Sequence, residues 1–212
     1  EDEKSYQKTN NVVVIPNPIE IPKEQALLEN KQVIAAGRIA PVKGFDQLIA
    51  AWQIVHQKQP DWQLHLYGDG YADTKEQLQK QIYARQLENV VLFKDSVSNI
   101  PNTMLDYSIY AMSSVTECFP MVLLEAMSVG LPIVSYDCPN GPRHIITNNS
   151  DGLLVANQNP EALAEGLLQL IEDQTRRKTM GAKAKTNSSK FETVVVMQQW
   201  LDLFQKLNKT NK

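Results

Sequence analysis

The stretch TECFPMVLLEAMSVGLPIV (116–134) decides how the rest of the chain is read. It is apolar enough to suggest a membrane span. Pro120, Glu125, Gly130 and Pro132 interrupt it, however, and a spanning helix needs about 20 mostly apolar residues without such breaks. It reads instead as a buried helix, a turn and a buried strand. Proline suits the first position of a helix, so the helix is predicted from Pro120 to about Val129, with Gly130 as its stop. Glu117 then falls in the loop before the helix. Glu125 sits one to two turns inside it.

Outward from this unit, short apolar runs alternate with segments of helical period. QVIAAG (32–37), WQLHLYGDG (62–70), NVVLF (89–93), SIYAMS (108–113), LPIVSY (131–136) and DGLLV (151–155) read as strands. Between the first two lies a helix with Phe45, Leu48, Ile49, Trp52 and Val55 on one stripe. A polar helix is predicted from about Lys75 to Arg85, and another opens with Asn159 as N-cap and Pro160 at the first helical position. Apolar strands alternating with helices predict a Rossmann-like three-layer α/β/α domain on a parallel sheet of about six strands. Residues 12–25, with three prolines, read as an extended connector. The expected organisation is a connector with N-terminal extension over 1–25, the α/β domain over 26–190, and a C-terminal helix and tail over 191–212. That last helix carries an apolar stripe of Val194, Met197, Trp200, Leu201 and Phe204.

The 212 residues are 42% hydrophobic and 21% charged, ordinary for a globular domain, with a net charge of −3. No basic excess points to nucleic acid as a partner. Cys118 and Cys138 form no C-x-x-C pair, which fits a reducing, cytoplasmic compartment. The charged opening EDEKSYQKTNN gives no expectation of a secretory leader, and no transmembrane segment is expected.

Ligands of open parallel sheets bind beyond the carboxyl ends of the strands, and the unusual residues of this chain cluster there. The helix near Pro120 has no good N-cap, because Cys118 and Phe119 precede it. The amides of Met121, Val122 and Leu123 are therefore expected to be bare, and bare amides at a helix start suit a phosphate. Arg38 and Lys43 in GRIAPVKGF (37–45) suit a diphosphate, one by fork and the other by point charge, unless that loop is simply solvated. Glu125 lies among apolar neighbours and needs donors, which sugar hydroxyls, solvent or a backbone amide would each supply. YGDGYAD (67–73) gives Gly-x-Gly without a third glycine, a weak dinucleotide fingerprint or a plain tight turn. His56, His65 and His144 have no metal-ligand spacing, and Arg143 in DCPNGPRHII (137–146) reads as structural.

Together, VIPNPI, GRIAPVKGFDQLI, LYGDG and above all ECFPMVLLEAMSVGLPIVSYDCPNGPRHII resemble the retaining glycosyltransferases of family four, enzymes of GT-B fold. The resemblance covers the chain from about Val12 to Val155. It implies the second, donor-binding half of such an enzyme, taking a nucleotide-sugar, most simply a UDP-sugar, in polysaccharide or glycoconjugate synthesis such as capsule. It implies catalytic roles for Glu117, Arg38 and Lys43. The donor site it implies comprises Gly37, Arg38, Lys43, Gly68, Ser96, Val97, Glu117, Phe119, Pro120, Met121, Val122, Leu123 and Glu125. In that site Glu125 would bind the ribose, Glu117 the sugar, and the loop at 95–97 would face the base. No metal and no cofactor are implied. A sugar or lipid-linked acceptor would enter through an N-terminal half, with peripheral membrane association of the whole enzyme. Cys118 departs from the family's usual glycine and would crowd the loop that approaches the sugar. A GT-B epimerase half, a non-catalytic module of the same fold and an NAD-binding Rossmann domain are the competing readings.

Overall fold

The computed structural model describes residues 12–210, with side chains to residue 208. Six strands form one sheet: β1 (Gln32–Ala36), β2 (Gln63–Tyr67), β3 (Val91–Lys94), β4 (Ile109–Met112), β5 (Ile133–Tyr136) and β6 (Gly152–Val155). Their order is β3-β2-β1-β4-β5-β6, and every pair is parallel. The strands are apolar because helices cover both faces. β4 and β5 are buried along their whole length.

Helix α1 (Phe45–Lys58) buries Phe45, Leu48, Ile49, Trp52 and Val55, the stripe seen in the sequence. Helix α2 spans Ala72–Ala84 and begins three residues before the predicted start at Lys75. Short α3 (Ile100–Met104) is capped by the Asn99 side chain. Helix α4 (Met121–Ser128) is the apolar helix of the deciding stretch. Pro120 stands just outside it, and Gly130 follows its end with a φ of 76°. Helix α5 (Pro160–Glu172) starts as expected: the Asn159 side chain accepts the Ala162 N–H at 2.9 Å.

Helix α6 (Gln174–Ser188) has no counterpart among the elements read from the sequence. Its buried face is mostly small or polar (Gly181, Ala184, Ser188, Arg177), so no apolar period marks it. Arg177 is buried and bonds the carbonyls of Leu28, Leu170 and Ile171, closing the end of α5 onto the segment that leads into β1. Its guanidinium also lies 5.3 Å from the Trp62 ring centroid.

Among its described residues, 12–25, the connector carries no helix or strand beyond an isolated bridge from Ile19 to Glu192. Ile19 is buried, accepts the Thr193 N–H and donates to Phe191, which ties the connector to the start of helix α7 (Thr193–Thr210). In α7 Val196 is buried, while Val194, Met197, Trp200, Leu201, Phe204 and Leu207 are exposed. The apolar stripe read from the sequence is therefore not packed on this core. Among the described residues no helix is long and apolar enough to cross a membrane.

Candidate functional site

The sheet changes direction of growth between β1 and β4, and the loops leaving their carboxyl ends diverge there. A cavity of about 660 Å³ occupies this crevice. Its walls come from the loops after β1 and β2, the loop from β3 to α3, the loop after β4, and the first turns of α4.

The β1 loop runs through Gly37 and Arg38 into a short 3-10 turn, Pro41–Lys43, closed by Gly44 in the left-handed region at φ 60°. Two bonds strap this turn to the loop after β4. The Ser113 hydroxyl donates to the Lys43 carbonyl at 2.9 Å, and the Val115 N–H donates to Val42 at 2.9 Å. A Cβ at position 44 would sit 2.2 Å from the Ser113 carbonyl oxygen, so this close crossing admits only glycine. The strap carries the Lys43 ammonium to 2.6 Å from the Glu117 carboxylate.

The DCPNGP turn supports Glu117 from beneath. Glu117 N–H donates to Pro139, Glu117 bridges Asn140, and the Gly141 Cα packs where a methyl group would strike Pro120. Arg143 grips Asp137 with two bonds of 3.0 and 2.9 Å, the structural role read from the sequence.

The Gly-x-Gly at 68–70 serves loop-to-loop contact. Ile39 N–H donates to Asp69 at 2.8 Å, and a Cβ on Gly68 would lie 2.1 Å from the Gly37 carbonyl oxygen. These glycines let two strand ends run side by side. They do not form a dinucleotide fingerprint. Ser96 donates to the Asp69 carboxylate across the same wall.

At α4 the Met121 and Val122 amides have no acceptor among the described residues. The Leu123 amide does have one: it donates to the Pro120 carbonyl at 3.0 Å, and its side chain is fully buried. Leu123 is therefore removed from the expected site, because the proline carbonyl turns back into the helix and takes its proton. Every other expected donor-site residue lines the cavity, from Gly37 through Glu125. Cys118 is exposed and is not among the lining residues.

The electrostatics divide the site. Arg38 is exposed and has no ion-pair or hydrogen-bond partner among the described residues, whereas Lys43 is held by Glu117. That internal pairing was not foreseen. The Glu125 side chain has no hydrogen-bond partner either, and burial raises its pKa above the ordinary carboxylate value. Beneath it the Tyr110 hydroxyl donates to the Ala36 carbonyl at 3.0 Å. Burial holds that phenol above its usual range, and the nearby carboxylates of Glu125 and Glu117 add to the effect. No histidine lines the cavity. No group of three His, Cys, Asp or Glu side chains among the described residues is placed to hold a metal ion.

Sequence reasoning missed Ala36, Tyr67, Asp69 and Ile100, which also line the cavity. Tyr67 and Asp69 flank Gly68, so their place at a strand end was a signal. Ile100 gave none.

Residues 17–187 match the family model described as glycosyl transferases group 1. The chain belongs to the group 1 glycosyl transferases. It is 33% identical over 195 residues to an uncharacterized glycosyltransferase of Haemophilus influenzae, a match covering 91% of this chain and 55% of that protein. Among solved structures, a Staphylococcus aureus TarM mutant in complex with fondaparinux, alpha-GlcNAc-glycerol and UDP superposes with a TM-score of 0.85 at 29% identity. That match covers 96% of this chain and 41% of TarM. Anabaena HepE in complex with UDP gives 0.78 at 28% identity, covering 84% and 49%. This glycosyl transferase domain thus has the fold of one GT-B half, and it spans about half or less of the length of these relatives.

Proposed function

We propose that the chain is the donor-binding half of a retaining glycosyltransferase that takes a UDP-sugar in polysaccharide or glycoconjugate synthesis. One observation carries the reading. A free guanidinium (Arg38), an ammonium (Lys43) and two bare helix amides (Met121, Val122) face one cavity with a partnerless carboxylate, Glu125. Cations and amides together fit a diphosphate. A lone half-buried carboxylate fits a pair of hydroxyls, which a ribose presents. The UDP in the TarM and HepE structures supports the same reading.

In the complete enzyme, negative charge grows on the departing diphosphate as the anomeric bond lengthens. Arg38, Lys43 and the α4 amides, which line the same cavity, would stabilise it. Two cations and a helix start do the electrostatic work that a divalent ion does elsewhere, so transfer should survive chelation by EDTA. Glu117 would meet the hydroxyls of the donor sugar. The acceptor site would belong to an N-terminal half, and the uncovered apolar face of α7 would dock against it.

Calorimetric titration with UDP and GDP tests the proposal. Saturable UDP binding that disappears in Arg38→Ala with Lys43→Ala supports it. Absent binding, or binding indifferent to those substitutions, refutes it. No histidine lines the cavity, which favours transfer over the acid–base chemistry of an epimerase.

A further inference from the structure

Three side chains that the donor-site reading leaves unused form a chain of hydrogen bonds ending at the cavity wall. His65 and Tyr67 alternate with Leu64 and Leu66 on β2, so they lie on one face of the sheet. Tyr107, buried in the segment after α3, meets both. Its hydroxyl lies 2.7 Å from His65 Nδ1 and 3.0 Å from the Tyr67 hydroxyl. The rings stand nearly perpendicular, at 81° to His65 and 88° to Tyr67. On the far side His65 Nε2 lies 3.3 Å from the Gln63 side-chain oxygen.

The chain is satisfied with either His65 tautomer: a proton on Nε2 lets Tyr107 donate to Nδ1 and accept from Tyr67, and a proton on Nδ1 reverses both bonds. Burial keeps the imidazole neutral, with its pKa lowered to about 4 and the Lys94 charge adding to the effect. Tyr67 thus lines the cavity with its hydroxyl already engaged by Tyr107.

Tyr67 stands at the end of β2, and Val97 and Ile100 follow β3. In the order β3-β2-β1-β4 this is the side of the cavity away from the β4 loop that carries Glu117. A ligand with its diphosphate at Arg38 and Lys43 therefore meets, toward β3, the side chains of Tyr67, Val97 and Ile100, with the hydrogen-bonded pair Ser96 and Asp69 beside them. The flat, π-faced part of a nucleoside diphosphate is its base.

We propose that Tyr67 is the wall on which the donor's nucleobase rests, and that Tyr107 and His65 are positioning residues that hold its ring. The inference rests on the nucleoside diphosphate reading of this cavity. A ring fixed before the ligand arrives loses no rotamer freedom on binding. Stacking on an aromatic side chain tolerates any base, so this wall raises affinity for a nucleotide over bare pyrophosphate without choosing among bases.

The test is titration of the 212-residue chain with UDP and with inorganic pyrophosphate. The variants are Tyr67→Ala, Tyr67→Phe, Tyr107→Phe and the double Phe substitution. Tyr67→Ala should weaken UDP by about 10-fold and leave pyrophosphate within about two-fold. Tyr67→Phe and Tyr107→Phe should each weaken UDP by about three-fold, and the double variant by no more than either, because both cut one chain. UDP affinity unchanged in Tyr67→Ala overturns the proposal alone. So does an equal loss of UDP and pyrophosphate, which marks a structural role. If the unsubstituted chain binds neither ligand, the proposal falls together with the reading beneath it. Thermal melts of each variant identify unfolding, and Tyr67→Phe, which keeps the ring, remains decisive if Tyr107→Phe does not fold.

Discussion

Substituting Glu117 with Gln should tighten UDP binding by this domain, although Glu117 is expected to be needed for transfer. The reason is the 2.6 Å pair with Lys43. Its side chains are only 24% and 13% exposed, so the pair lies between the surface and buried limits. In the empty site the carboxylate occupies one direction of the ammonium and adds a negative charge beside the diphosphate position. Two like charges about 6 Å apart at an effective dielectric of about 20 repel by about 3 kcal/mol. Mobile ions in this open crevice reduce that. A net gain of about 1–2 kcal/mol remains, or about 5- to 30-fold in affinity. Lys43→Ala should weaken UDP by at least about 10-fold and lower the melting temperature, because it strands a mostly buried carboxylate. The Lys43→Ala, Glu117→Gln double variant should regain part of both losses. Calorimetry at two salt concentrations measures all of this, and the Glu117→Gln gain should shrink at high salt. If Glu117→Gln binds UDP no better than the unsubstituted chain, Glu117 is not competing for Lys43, and the electrostatic reasoning fails.

Glu125→Gln should stabilise the empty domain at neutral pH and weaken nucleotide by about 10-fold or more, since hydrogen bonds to a charged acceptor are among the stronger ones. Burial raises the Glu125 pKa, so the native state holds its proton more tightly than the unfolded chain. Stability is then lost as pH rises from the unfolded value through the raised one, and urea melts of Glu125→Gln should lack that component. His65 behaves in the opposite way. Its native pKa of about 4 lies below the ordinary 6.5, so stability present above pH 6.5 is lost as pH falls toward 4. At most about 3 kcal/mol is at stake, and His65→Leu should flatten that limb of the urea stability profile. Arg177→Met should destabilise by about 2–4 kcal/mol, because it frees the buried carbonyls of Leu28, Leu170 and Ile171 at once. A chemical melt within about 0.5 kcal/mol of the parent would contradict that role.

The strands and most helices were legible because each has a period and a boundary residue. Phe45 to Val55 recur at helical spacing, Asn159 caps, and Gly130 stops. Helix α6 was not legible, since its buried face uses glycine, alanine, serine and an arginine whose partners are carbonyls elsewhere in the chain. The bare Met121 and Val122 amides followed from the lack of a capping residue before Pro120. Leu123 did not follow, because a carbonyl's direction depends on backbone angles that no residue name states.

By itself the sequence determined the parallel α/β architecture, the place of the charged residues at the strand ends, and the apolar helix with Glu125 inside it. These depend on local period, on capping and on the rule that parallel strands are buried. Only the tertiary structure decided that Lys43 meets Glu117, that Tyr67 leans on Tyr107 and His65, and that α7 keeps its apolar face uncovered. Each of those joins residues far apart in the chain or asks whether a surface has a neighbour. Hydrophobic pattern says which side chains leave water, but the strand order in the sheet sets which of them then stand within hydrogen-bond reach.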